Sequence, residues 1–260
     1  CKLFFRREII MLYYLFEFLE KEYNLPGAGL FHYISFRAAA GIILALILSM
    51  ISGNRIIRSL KKLQIGETVR DLGLDGQVEK EGTPTMGGLI ILIAIVVPTL
   101  LFAKLDNIYV ILMLITTIWM SAIGFIDDYI KVFKKNKDGL HGKFKIFGQI
   151  TLGLIIGFTM LYHNDILIRI SKEQADLKGY EIVKSFETHV ETVNSPNKIK
   201  EMAYVKTSLT NIPFIKNNEL DYAWLLKKLG LNDFNWLWLI FVPVVIFIVS
   251  SVSNAANLTD

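Results

Sequence analysis

Five stretches of this chain, residues 38–54, 82–103, 107–126, 146–164 and 234–259, contain no Asp, Glu, Lys or Arg. Each is close to the roughly 20 apolar residues that an α-helix needs to cross a bilayer core. Lipid offers no partner to a backbone N–H or C=O, so such a run is predicted to be helix rather than open sheet. The sequence therefore predicts an all-α polytopic membrane protein with five transmembrane helices. Composition agrees: 53% of the 260 residues are hydrophobic and the mean hydropathy is +0.44. The apolar residues are also clumped, whereas soluble domains disperse them.

Orientation follows from lysine and arginine in the short loops. Arg55, Arg58, Lys61, Lys62, Arg70 and Lys80 lie between the first and second runs. Lys131, Lys134, Lys135, Lys137, Lys143 and Lys145 lie between the third and fourth, and only Lys104 between the second and third. The two basic loops are predicted to be cytoplasmic and the amino terminus external. The fifth helix then ends, at "NAANLTD", on the cytoplasmic side. A net charge of +4 reads as a membrane-surface feature. No nucleic-acid partner is expected, because the basic residues lack interleaved aromatics for stacking. The single Cys1 excludes an internal disulfide.

Four regions are expected. Residues 1–35 form an external or interfacial segment, with a helix over about Ile9–Glu22 closed by "NLPGAG"; Met11 is a candidate natural start. Residues 36–164 carry helices one to four. Residues 165–233 form a polar external insert with ten basic and ten acidic side chains. Residues 234–260 form the fifth helix and its polar end. Within the insert, "YVKTSLTNIPFI" alternates loosely like a strand, and "LDYAWLLKKLG" reads as a short helix stopped by Gly230. Nothing there carries recognisable chemistry, and His189 reads as a surface residue.

The chemistry lies at the cytoplasmic ends. In "SAIGFIDDYIKVFKK" (Ser121–Lys135), Asp127 and Asp128 sit at a helix carboxyl end, where the dipole already disfavours acids. Helical spacing aligns Thr117, Ser121, Gly124, Asp128 and Lys131, with Asp127 beside that stripe and four residues before Lys131. A small and polar stripe ending in carboxylates should face protein or water. The bland reading is a pair of boundary charges balanced by Lys131 and the basic loop. The sharper one is a magnesium site, since magnesium takes one or two carboxylates and completes its shell with water and substrate phosphates.

Three further features lie at the same membrane edge. In "KEGTPTMGG" (Lys80–Gly88), Thr83 can cap a helix starting at Pro84. The free N–H groups there would attract an anion, although ordinary capping explains the pattern as well. Ser250, Ser253, Asn254 and Asn257 follow helical spacing towards Asp260. They either hydrogen-bond between helices or face the same cavity as Asp127 and Asp128. In "HGKFKIFGQ", Lys143 and Lys145 precede the fourth run, and either hold phosphate or simply obey the positive-inside bias. His141 reads as a loop residue.

"GTPTMGG", "GFIDDYIKV" and "NAANLTD", in this order and at these membrane depths, resemble the phospho-N-acetylmuramoyl-pentapeptide transferase family. That family belongs to the polyprenyl-phosphate N-acetylhexosamine-1-phosphate transferases. The resemblance covers roughly Arg37–Asn164 and Asn235–Asp260. It implies transfer of phospho-N-acetylmuramoyl-pentapeptide from its UDP donor to undecaprenyl phosphate, giving lipid I and UMP in peptidoglycan synthesis. It further implies catalytic roles for Asp127, Asp128, Lys80, Lys131 and Lys145, with Asp127 a candidate base. Substrate contacts fall on Thr83, Thr85, Asn257 and Asp260, and a Mg2+ ion on Asp127, Asp128 and Asp260. The implied partners are undecaprenyl phosphate, UDP-N-acetylmuramoyl-pentapeptide, the lipid bilayer and a second copy of the chain. The implied location is the bacterial cytoplasmic membrane with the site facing the cytoplasm.

Two departures stand out. The resemblance implies about ten spans against five here, so the expectation is a truncated chain, inactive alone. The insert at 165–233 is also longer than the resemblance suggests. A sister transferase using UDP-N-acetylglucosamine is the nearest alternative. An ion-coupled transporter with the two aspartates as its ion site is the alternative of another class. Against the transporter, the acids lie at the membrane edge and no inverted repeat is visible.

Overall fold

The computed structural model describes residues 11–62, 86–134, 136, 138–192, 195–211, 219–230 and 234–259. The chain divides into two compact units, Cys1–Gly148 and Gln149–Asp260.

The first unit contains α1 (Leu12–Tyr23), a 3-10 turn (Ala28–His32), α2 (Ile34–Lys62), α3 (Gly88–Phe102), α4 (Ile108–Phe133) and the start of α5 (Gly142–Tyr162). The expected amino-terminal helix is α1. It stops where Asn24 adopts φ 51° and its N–H returns to Glu20 O, a left-handed cap that Asn tolerates better than most residues. The chain then folds back, with the Phe16 ring stacked on Phe31 at 3.9 Å. Helices α2 and α3 run antiparallel, with Gly41 near Phe102 and Gly53 near Ile90. Arg37 ties their ends together. Its Nη1 donates to Phe102 O at 3.2 Å, at a helix carboxyl end where a cation is favoured. Helix α4 starts at Asn107, whose side chain accepts the Tyr109 N–H at 2.9 Å.

Among the described residues, four helices are long and apolar enough to cross a membrane: Ile34–Leu60, Ile108–Phe133, Gly142–Tyr162 and Trp238–Ala256. The second expected span is shorter. Helix α3 has 15 residues, about 22 Å at 1.5 Å per residue, against a hydrocarbon core of about 30 Å. Its start also differs from expectation. The helix begins at Gly88, and Met86 before it has φ 70°. A left-handed residue interrupts a right-handed helix, so α3 does not run unbroken from Pro84. Burial of the Met86 side chain with Leu60, against Ile56 and Val132, holds it there. Lys80, Thr83, Pro84 and Thr85 lie outside the described residues.

The second unit holds the rest of α5, then β1 (Ile168–Ser171), α6 (Lys172–Lys178), β2 (Ile182–Thr192), β3 (Ser195–Val205), β4 (Leu209–Asn211), β5 (Glu219–Asp221), α7 (Tyr222–Lys228), a 3-10 turn (Phe234–Trp236) and α8 (Trp238–Thr259). The spans are helical as expected, and the insert adds sheet to them. One antiparallel sheet has the order β1-β3-β2, and a second pairs β4 with β5. Only the β3 end and β4 were foreshadowed by the alternation at 204–215. The small core of the first sheet is Ile170, Ala175, Ala203 and Val205. Helix α7 matches the expected short helix: the Asp221 side chain accepts the Ala223 N–H at 2.9 Å, and Gly230 takes φ 78°. Tyr222 and Leu226 are buried with Leu237 and Phe241 of the α8 region, which seats the insert on the start of α8.

Along α5 and α8 the packing is close. A Cβ added at Gly153 would lie 2.8 Å from Ile246 Cα, and one at Gly157 3.3 Å from Val242 Cγ2. This is the small-xxx-small approach that lets membrane helices meet backbone to backbone. One turn before Gly153, Gln149 is 3% exposed. Its Nε2 donates to Ser253 Oγ at 3.0 Å and to Asn254 Oδ1 at 3.1 Å.

Candidate active site

The site is built where α4 ends and α5 begins. Trp119, Ile123, Asp127 and Lys131 recur every fourth residue, so they share one face of α4. Trp119 Nε1 donates to Gly148 O at 3.0 Å, and a Cβ at Gly148 would lie 2.5 Å from Ile123 Cδ1. These contacts show the face that α4 turns towards α5. The expected stripe through Thr117, Ser121, Gly124 and Asp128 lies to one side of it. Thr117 Oγ1 in fact donates to its own helix, at Met113 O, 2.8 Å away.

Asp127 therefore points into the helix–helix corner, and it is 8% exposed. Its Oδ2 meets Lys131 Nζ at 2.8 Å. Its Oδ1 meets Lys145 Nζ at 3.0 Å and accepts the Leu140 N–H at 2.7 Å. One carboxylate is thus held by a lysine one turn later on its own helix, a lysine from the next helix and the loop between them. The loop geometry makes this possible. Asp138 N donates to Asn136 Oδ1 at 3.1 Å, an Asx turn that starts the reversal. Gly139 follows at φ 67°. A Cβ there would lie 2.5 Å from Asp127 Oδ1 and 2.7 Å from Lys131 Cε. Only glycine satisfies both demands, the left-handed backbone and the close approach. Sequence reasoning passed over Gly139, although a lone glycine between a basic run and the next helix signals such a turn.

The lysines keep access to solvent: the side chains of Lys131 and Lys145 are 44% and 29% exposed. Each ammonium has three N–H donors, and one points to Asp127. A partly buried anion thereby fixes two cations side by side with donors to spare, which suits a phosphate or pyrophosphate group. Asp128, at the next position of the same turn, is half-buried. Among the described residues no cluster of three or more His, Cys, Asp or Glu is arranged to hold a metal ion.

The other expected site residues are placed unevenly. Ser253 and Asn254 bond to Gln149, the interhelical reading of that stripe. The Asn257 side chain and Asp260 lie outside the described residues, as do Lys80, Thr83 and Thr85 and the side chain of His189. His141 is an exposed loop residue whose carbonyl accepts the Phe144 N–H at 2.9 Å. Lys143 is exposed in the first turn of α5.

Comparison with known proteins gives the family. A signature described as Phospho-N-acetylmuramoyl-pentapeptide-transferase signature 1 matches residues 80–92. The chain is 54% identical over 250 residues to the phospho-N-acetylmuramoyl-pentapeptide-transferase of Flavobacterium psychrophilum, covering 96% of this chain and 58% of that protein. It is 53% identical over 251 residues to the enzyme of that name from Parabacteroides distasonis, covering 96% and 56%. Against the Porphyromonas gingivalis enzyme of that name it is 51% identical over 250 residues, again covering 96% and 56%. The chain thus spans little more than half the length of these relatives, and over that span it belongs to the phospho-N-acetylmuramoyl-pentapeptide transferase family.

Proposed function

We propose that this chain supplies the phosphate-handling edge of a transferase that moves phospho-N-acetylmuramoyl-pentapeptide from UDP to undecaprenyl phosphate. The observation that carries the reading is the pairing of one partly buried aspartate, Asp127, with two solvent-accessible lysines. In the reaction, an oxygen of undecaprenyl phosphate bonds to the sugar-linked phosphorus of the donor. The bond from that phosphorus to the bridging oxygen breaks, and UMP leaves with that oxygen and its electron pair. Phosphoryl transfer of this kind needs positioning and charge neutralisation more than covalent help. Lys131 and Lys145 are assigned to the donor's pyrophosphate, and Asp127 to holding them in place. Asp127 already accepts from three donors, which favours this positioning role over that of a base.

Magnesium is proposed as the cofactor. Asp127, flanked by two ammonium groups, is a poor place for a dication, which leaves Asp128 and Asp260 of the carboxylates that the resemblance implies. Magnesium is commonly held by one or two carboxylates plus substrate phosphates, so Asp128 with donor oxygens and Asp260 suffices. When bound, the ion would neutralise charge on the phosphates. Lys80, Thr83, Thr85 and Asn257 are proposed as further substrate contacts. The proposed setting is the cytoplasmic membrane with this corner facing the cytoplasm, and the enzyme is proposed to work as a homodimer. The four-region division at residues 35, 164 and 233 is kept as a proposal.

The test uses membranes carrying the full product of the gene. Radiolabelled UDP-N-acetylmuramoyl-pentapeptide and undecaprenyl phosphate should give labelled lipid I and UMP, lost on chelation and restored by magnesium. UDP-N-acetylglucosamine as the preferred donor would favour the sister transferase. Ion-driven uptake into vesicles without lipid product would favour the transporter.

A further inference from the structure

The insert carries a surface that the transferase reading does not use. Helix α7 buries Tyr222 and Leu226 against Leu237 and Phe241, with the Tyr222 and Phe241 rings edge-to-face at 5.3 Å. This fixes α7 beside the first turns of α8, a membrane-spanning candidate that starts at Trp238. The opposite face of α7 presents Trp224, 57% exposed, with Lys228 Nζ 5.2 Å from its ring centroid. Lys227 is exposed beside them, and Leu229 at the helix end is 63% exposed. Around the same end, Trp236, Trp238 and Tyr162 are also exposed. Tyr162 is the last residue of the α5 span, so both spans end in aromatic residues at this level.

We infer that α7 is an interfacial anchor: Trp224 and Leu229 enter the headgroup region of the bilayer that α8 crosses, and Lys227 and Lys228 bind phospholipid phosphates there. Three physical points support lipid as the occupant. The surface is held at the level where α8 begins, because the buried Tyr222–Phe241 contact fixes α7 to the first turns of that span. Tryptophan and tyrosine favour the membrane–water interface because one end is apolar and the other polar. Lysine stems cover apolar surface while the ammonium reaches the phosphate layer, and two such charges favour an anionic leaflet. Helix α6, beside the β1-β3-β2 sheet, shows a different surface chemistry. It pairs its own lysines with acids, Lys172 with Glu201 and Lys178 with Glu219.

The proposal is tested with the full protein in nanodiscs, carrying a spin label on cysteine at Leu229 or at Leu177 in a Cys1→Ser background. Leu177 lies on α6 and is 80% exposed, and serves as the aqueous control. The label at Leu229 should collide with oxygen and be shielded from a water-soluble nickel chelate, and the label at Leu177 should show the reverse. Replacing neutral lipid with phosphatidylglycerol should deepen the Leu229 label. Lys227→Glu with Lys228→Glu should remove that lipid dependence, shifting the docking equilibrium by roughly thirtyfold, about fivefold per lysine lost. A Leu229 label as open to the chelate as Leu177 would overturn the proposal. So would a label shielded from both reagents, which would place a protein partner there instead.

Discussion

Two corners of this molecule hold polar side chains between apolar helices, and they do so in opposite ways. At the α4–α5 turn, a carboxylate, two ammonium groups and a loop N–H converge, and both lysines keep a side open to solvent. Along α5 and α8, a neutral amide meets a hydroxyl and a second amide, and two glycines let the backbones close over the apolar remainder. Charge is costly to bury, so a structural seam in a membrane protein is better served by neutral hydrogen bonds and close packing. Ionisable residues at membrane depth are functional by default. On the proposed reading, the first corner is arranged for a ligand and the second for the fold.

The sharpest way to break this contrast is to remove the charge at the first corner. Asp127→Asn keeps the size and one acceptor but releases the lysines. Turnover should fall at least about a hundredfold, the range for losing a key electrostatic contact, while insertion and melting in detergent stay near those of the parent. Asp128→Asn should fall comparably, and extra magnesium should recover part of its loss alone. If both variants keep near-parent kcat with saturating magnesium, the two aspartates are boundary charges and the functional reading of the corner fails.

The second corner should give the inverse profile. Gly153→Leu places a whole side chain where even a Cβ would sit 2.8 Å from the Ile246 backbone. Overpacking of this kind costs about 1–3 kcal/mol, so melting should move down clearly. Gly157→Ala meets only side-chain methyls and the Val242 backbone at 3.3–3.4 Å and should cost much less. Equal melting for the two variants would mean that the helices are not held as close as the glycines imply.

How much of this was legible beforehand depends on the range of the interactions. The helical spans follow from uncharged runs, a purely local signal, and so do α1 and α7 with their caps. Balancing of the two aspartates by Lys131 and the basic loop was one of the expected readings, but which carboxylate the lysines meet, and that Lys145 is the loop-side partner, was not. That needs the rotation of α4 and the length of the loop, which a sequence states only indirectly through Gly139. The shift from the Thr117–Ser121–Gly124 stripe to the Trp119–Ile123–Asp127 face has the same origin. Threonine can satisfy its hydroxyl within its own helix, so a polar stripe need not be a contact face. In the insert, "IVKSFETHVET" carries the alternation and β-branched residues of a strand. Even so, a strand is expected only at the looser alternation of 204–215. The left-handed Met86 had no local signal, since its side chain is held by residues from two other helices.

Gly139→Ala tests the link between loop and site. The left-handed backbone alone costs about 1 kcal/mol for a non-glycine residue, and the new methyl must displace Asp127 or Lys131. Turnover should drop by roughly tenfold, about 1.4 kcal/mol of barrier. The loss should appear mainly in kcat, because the lysines are misplaced rather than removed. A rise in KM alone would mean that the loop contacts substrate directly and does not act through Asp127.

The smallest expected effect is the most discriminating one. Gln149→Leu keeps the length and burial of the side chain and removes its donors and acceptor, leaving Ser253 and Asn254 to find other partners. Interhelical hydrogen bonds in membranes average about 0.6 kcal/mol by double-mutant cycles, so melting should shift only slightly. Turnover and KM for the UDP donor should not change, because the amide is 3% exposed and bonds across to Ser253 and Asn254 of α8. A double-mutant cycle with Asn254→Leu should show coupling in stability. If Gln149→Leu instead cuts turnover as far as Gly139→Ala does, then the amide rung is part of the catalytic machinery. The division into a charged corner for ligand and a neutral seam for fold would have to be abandoned.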